Sequence, residues 1–111
     1  IQVTRGTMAQ RDHGWLVELV PNALVTCRTQ TYAPQDMQTL GERAVTLTDT
    51  RWSNAHIKTT NLLPNTLLLQ KARSMGANEA ILIRDNYAIV GTQSNLFIVN
   101  DDIIFKMSNI L

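Results

Sequence analysis

Cysteine is nearly absent from this chain. Cys27 is the single thiol in 111 residues, which excludes an internal disulfide framework and suits a reducing compartment, the cytoplasm. Net charge is nearly absent too. Ten Lys and Arg against nine Asp and Glu leave +1, with no electrostatic case for a nucleic acid or an acidic membrane as partner. No apolar run approaches the roughly 20 residues that a membrane-spanning helix needs, and no signal peptide is visible. Repeats and low-complexity tracts are missing, as are a P-loop and a GxGxxG turn. His13 and His56 are far apart in sequence and give no paired metal spacing.

What is present is ordinary globular composition, 44% hydrophobic and 17% charged, in a chain long enough for one small domain with a real core. It begins at Ile1 and stops at "NIL", both inside segments that read as structured, so the chain reads as a fragment of a longer protein. "IQVTR" opens as a strand that runs into Gly6, and "RDHGW" reads as a polar loop. "ALVTCRTQTY", residues 23–32, is rich in β-branched residues and predicts a strand, ended by the proline of "APQD". "AVTLTD" alternates like another strand. "NLLPNTLLLQKARSMGAN" predicts a helix, with Asn61 as cap, Pro64 in the first turn, Leu63, Leu67 and Leu68 sharing a face and Gly76 closing it. The segment from Glu79 to Lys106 predicts a meander of short strands turning at "DN" and "NDD". Helix and antiparallel strands in this order suggest an α+β fold.

The residues alone leave the chemistry open. Cys27 alternates within its segment and reads as a packed thiol. Arg11-Asp12-His13 is either a solvated polar loop or an anion trap, in which arginine clamps a carboxylate and histidine adds a donor. Lys58 is either a solvated surface charge or an amine in a pocket, where a desolvated lysine has a lowered pKa and can form a Schiff base.

The blocks "QVTRGTMAQRDH", "RWSNAHIKTTNLLPN", "GANEAILIRDN" and "VGTQSNLFIV" together resemble the class IV pyridoxal-phosphate aminotransferases, above all the D-amino-acid aminotransferase branch. The resemblance runs from Ile1 to about Lys106, with the blocks in family order. It implies that Lys58 carries pyridoxal 5'-phosphate as an internal aldimine and serves as general base and acid, while the ring is the electron sink. It implies that Arg11 and His13 hold the substrate carboxylate. Asn95 matches a family asparagine that shapes the turn beside the cofactor. Thr92 and Ser94 stand where the family has small hydroxyl residues near the cofactor, although hydrogen bonding within the turn explains them equally well. Arg51-Trp52 matches the family's "RW" and reads as scaffold.

Three departures accompany the resemblance. The family has a glutamate before the glycine of its "GxxSN" turn, which bonds the pyridine nitrogen. Here that cofactor-side position is Val90, which can neither accept a hydrogen bond nor carry charge. Met107 follows "IIFK" at once, so a few residues of that loop are missing. Leu111, counted among the cofactor-side residues, ends the chain before the family's phosphate-binding turn. The implied architecture is fold type IV, with residues 1–32 closing a small domain, 33–36 a linker and 37–111 beginning a larger domain. The implied activity is transfer of an amino group from an amino acid to a 2-keto acid in a homodimer. The alternatives are 4-amino-4-deoxychorismate lyase, which shares the fold and the lysine, and a degenerate member without the chemistry.

Overall fold

The computed structural model describes residues 1–14, 18–30 and 35–107. Two compact units divide the chain, Ile1–Ala33 and Pro34–Leu111. In the first, β1 (Gln2–Thr4) pairs antiparallel with β2 (Asn22–Leu24), Gln2 opposite Leu24 and Thr4 opposite Asn22. Gly6 sits at φ +110°, and a Cβ there would lie 2.3 Å from the Val20 carbonyl oxygen, so the chain can pass this close only as glycine. The strand expected over 23–32 is therefore much shorter. Beyond Leu24 no described residue of this unit is in a ladder, because β-branched side chains favour a strand only where a neighbouring strand takes its hydrogen bonds.

The second unit opens with α1 (Gln35–Leu40), so Gln35 and Asp36 of "APQD" are helical. Ala33 and Pro34 of that segment lie outside the described residues. Next, β3 (Ala44–Thr48) leads through α2 (Leu63–Ser74) to β4 (Glu79–Arg84), and β3 and β4 run parallel, Ala44 opposite Glu79 and Thr48 opposite Ile83. β5 (Tyr87–Gly91) returns antiparallel to β4, giving the order β3-β4-β5. The turn between them places Asp85 at φ 49° and Asn86 at φ 66°, the left-handed pair that a tight hairpin requires. β6 (Phe97–Asn100) and β7 (Ile103–Lys106) form a separate hairpin, turning through Asp101 and Asp102 at φ 48° and 62°. The expected meander is thus two hairpins, and the sheet mixes a parallel pair joined by a helix with an antiparallel one.

Leu82 is fully buried at the middle of β4, among Leu47 of β3, Leu68 and Ala72 of α2, Ala77, Ala80, Ile89 and Val90. The helix face that meets the sheet is Leu68 and Ala72, one turn apart, whereas Leu63 and Leu67 are 66% and 61% exposed. Small Ala72 lets the helix approach the sheet closely. Asn61 is not the cap. Leu62 occupies that position without a side-chain cap, and the Asn61 N–H donates to Thr59 Oγ1 at 3.2 Å. Pro64 lies in the first turn, and Gly76 closes the helix at φ +74° with Ala77 N–H returning to Ala72 O at 3.0 Å.

Candidate functional site

The loop that carries Lys58 begins at a buried acid. Asp49 follows β3, and its N–H donates to Ile83 O at 2.8 Å. Its Oδ1 accepts from the Arg51 N–H at 3.0 Å and from Arg51 Nε at 2.9 Å, while Oδ2 accepts from Arg51 Nη2 at 2.8 Å. Arg84, at the end of β4, reaches the same Oδ2 at 2.9 Å, and the Asp49 side chain is fully shielded from solvent. Burial alone would raise the Asp49 pKa, but the hydrogen bonds and charge of Arg51, with the charge of Arg84, outweigh it and hold the carboxyl below its ordinary value. Both arginines are thereby fixed to the sheet, and one of them, Arg51, faces the site.

Lys58 follows a turn closed by Ile57 N–H to Asn54 O at 2.9 Å. It lines a cleft of about 470 Å³ together with Arg51, Asn65 of α2 and the segment Val90–Asn95 that leaves β5. A smaller cavity of about 130 Å³ also touches Lys58, Arg51 and Asn65. Lys58 itself is exposed. The desolvated amine considered from sequence is not what this chain presents, because Lys58 stands in a loop, residues 52–60, most of which is exposed.

The opposite wall is held by Glu79, at the first position of β4. Its Oε1 accepts from the Thr92 N–H at 2.9 Å, from the Ala80 N–H at 2.8 Å and from the Thr92 hydroxyl. Its Oε2 accepts from Ser94 Oγ at 2.8 Å and from the Gln93 N–H at 3.4 Å. Burial would raise the Glu79 pKa, but the bonds from Thr92, Ala80 and Ser94 outweigh it and keep the carboxyl ionised below its ordinary value. Asn65 Nδ2 donates to Thr92 O at 2.6 Å, and Gly91 N–H to Ser94 O at 2.9 Å. A Cβ on Gly91 would lie 2.2 Å from Ser94 Oγ and 3.0 Å from Glu79 Oε2, so glycine leaves the room that this carboxylate uses.

Lys58, Val90, Thr92, Ser94 and Asn95 thus line one cleft. Val90 also belongs to the core beneath it. Arg11 and His13 lie exposed in the first unit, on a loop shaped by Arg5. Arg5 Nη2 donates to Asp12 O at 2.7 Å and Arg5 Nη1 to Gly14 O at 2.8 Å, while the Gly14 N–H donates to Asp12 Oδ1 at 2.8 Å. Leu111 lies outside the described residues. Sequence reasoning missed Glu79, Asn65 and Asp49. The one available signal was Glu79 itself, a lone acid opening the apolar run "AILI".

Pyridoxal phosphate can be tested against this cleft by its donor set. The volume lies within the ordinary range for small-molecule sites. A primary amine for an aldehyde is present in Lys58, and polar groups converge on the opposite wall. An acid at position 90 for the ring nitrogen is not, since Val90 is apolar and buried. Lys58 fits the group's aldehyde, and the acid that the resemblance implies for its ring nitrogen is missing at Val90.

Residues 1–107 match the family model described as amino-transferase class IV. The chain belongs to that family. Among its class IV relatives, the D-alanine aminotransferase of Bacillus licheniformis is 41% identical over 106 residues, covering 95% of this chain and 36% of that protein. The D-alanine aminotransferase of Staphylococcus aureus (strain N315) is 35% identical over 105 residues, covering 95% and 37%. That of Listeria innocua is 32% identical over 106 residues, again 95% and 37%. The chain therefore spans little more than a third of the length of these class IV aminotransferases. No helix among the described residues is long and apolar enough to cross a membrane.

Proposed function

We propose that this chain supplies the cofactor lysine and one cofactor wall of a pyridoxal-phosphate-dependent, fold type IV aminotransferase that acts on D-amino acids and 2-keto acids. The observation that carries this reading is the shared cleft: Lys58 and the turn that bears Thr92, Ser94 and Asn95 line the same space of about 470 Å³. Family membership and the names of the D-alanine aminotransferases support the substrate class. When bound, the cofactor supplies an aldehyde carbon and an electron-withdrawing ring for chemistry at an amino acid's α-carbon. Lys58 Nζ would hold that aldehyde and, once released, take and return the α-proton. Arg11 would grip the substrate carboxylate through charge-assisted bonds, with His13 as a further donor. Residues 1–32 would end a small domain, 33–36 link it and 37–111 begin a larger one, in a cytoplasmic homodimer.

Borohydride reduction of the loaded protein tests the assignment. A pyridoxyl group is expected on the peptide containing Lys58. Label on Lys71 or Lys106 instead, or none at all, would sink it. Val90 supports a second reading, a family member that holds cofactor but turns over little, because nothing at that position keeps the ring nitrogen protonated. An assay with D-alanine and 2-oxoglutarate, beside one following release of 4-aminobenzoate, separates aminotransferase, lyase and inactive protein.

A further inference from the structure

Thr92 and Gln93 N–H groups and the Thr92 and Ser94 hydroxyls form a cluster of donors on the turn after β5. Such a cluster of backbone and hydroxyl donors is ordinarily an anion site. Here the anion is the chain's own. All four groups donate to Glu79. A carboxylate is an acceptor only, so each hydroxyl has its single proton directed at Glu79 and keeps only lone pairs for any other contact. Thr92 is buried at 2% exposure, Ser94 is exposed, and both line the cleft. The ionisable side chains of the cleft lining are Arg51 and Lys58, both cations. Glu79 is outside that lining and is bonded to it through the Thr92 and Ser94 hydroxyls.

We propose that Glu79 is the positioning residue of this turn, and that it presents the Thr92 and Ser94 oxygens to the cleft as acceptors, so that this wall takes an N–H group and not an anion. The proposal rests on the reading of the cleft as a cofactor site, and it names the class of group that this part of the cleft receives: a protonated nitrogen of the cofactor or of an amino substrate. A phosphate oxygen would meet hydroxyls without a free proton, backed by a negative charge. The ionised state of Glu79 follows from its five hydrogen bonds. Among the described residues this carboxylate is the one acid bonded to the Thr92–Ser94 turn, whereas Asp49 is bonded to Arg51 and Arg84.

The test is the pH midpoint of the colour change of the full-length protein loaded with pyridoxal phosphate. Glu79→Gln keeps the shape and removes the charge, so the protonated chromophore loses support and its midpoint should fall by about one pH unit. Glu79→Asp keeps the charge and should stay on the wild-type side of that change even if it melts earlier. Should Glu79→Gln fail to fold, Ser94→Ala removes one acceptor from an exposed position and should move the midpoint in the same direction by less. A wild-type midpoint in both Glu79→Gln and Ser94→Ala, or equal falls for Gln and Asp, would overturn the inference while leaving the cofactor assignment standing. Wild-type protein that takes up no colour overturns both.

Discussion

Val90 serves two environments. Its side chain is 7% exposed among Leu82 and Ile89, yet it also lines the cleft beside Thr92. Glutamate there would place an acid at the cleft lining, where a buried carboxylate without a partner costs more than the roughly 1–3 kcal/mol of a neutral polar group. Val90→Glu should therefore melt earlier than wild type without cofactor. If the ring nitrogen lies beside this position, its N–H gives the new acid a partner, and pyridoxal phosphate should raise the melting temperature more in the variant than in wild type. Transamination should also speed up, because a preorganised charge now supports the ring as it takes up electrons. Melts with and without cofactor, run beside the rate assay, decide the matter. Equal stabilisation of both proteins would show that the ring nitrogen sits elsewhere.

At the scale of elements, two acids pin the site to the sheet: Asp49 just after β3 and Glu79 at the start of β4. Both carboxyls titrate below their ordinary values of 3.8 and 4.5, because their hydrogen bonds outweigh burial. As the pH falls, the unfolded chain binds these protons before the folded one does. The stability they contribute is thus complete above the ordinary values, declines as the pH drops below them, and is gone beneath the folded-state values. Urea midpoints measured from neutral into acid buffer should trace this loss, and Asp49→Asn should flatten its acid limb. An unchanged limb would mean that the Arg51 and Arg84 bonds do not persist in solution. The elements themselves were legible where the cause is local. "AVTLT" alternates, "DN" and "NDD" turn, and Pro64 and Gly76 bound α2. What failed depended on partners distant in sequence. Asn61 has a capping side chain, but the chain places Leu62 at the cap. Leu63, Leu67 and Leu68 are equally apolar, and only the sheet decides that Leu68 and Ala72 face inward. Parallel pairing of β3 with β4 leaves no mark on either strand. Lys58 and the Val90–Asn95 turn were legible through the family blocks, whereas Glu79 was not, because four of its five donors come from a hairpin return that sequence spacing does not show.

Among the described residues, the buried core is confined to β3, α2, β4 and β5 with the Ala77 turn. Large exposed apolar side chains include Leu62, Leu63 and Leu67 at the start of α2, and Phe97, Ile98, Val99, Ile103, Ile104 and Phe105 along the β6–β7 hairpin. Exposed apolar surface of this extent is where soluble proteins associate. The two kinds of position should separate cleanly in the 111-residue chain. Leu82→Ala empties a fully buried site and should cost about 2–5 kcal/mol. Leu67→Gln and Ile104→Thr alter exposed positions, keep helix and strand propensity, and should change stability by no more than about 0.5 kcal/mol. They should nonetheless lower binding of a hydrophobic dye and weaken concentration-dependent association, neither of which Leu82→Ala relieves. Urea unfolding, dye fluorescence and sedimentation measure the three effects. If Leu67→Gln or Ile104→Thr destabilises the chain as much as Leu82→Ala, these faces are packed in solution, and the core extends beyond the three-stranded sheet and its helix.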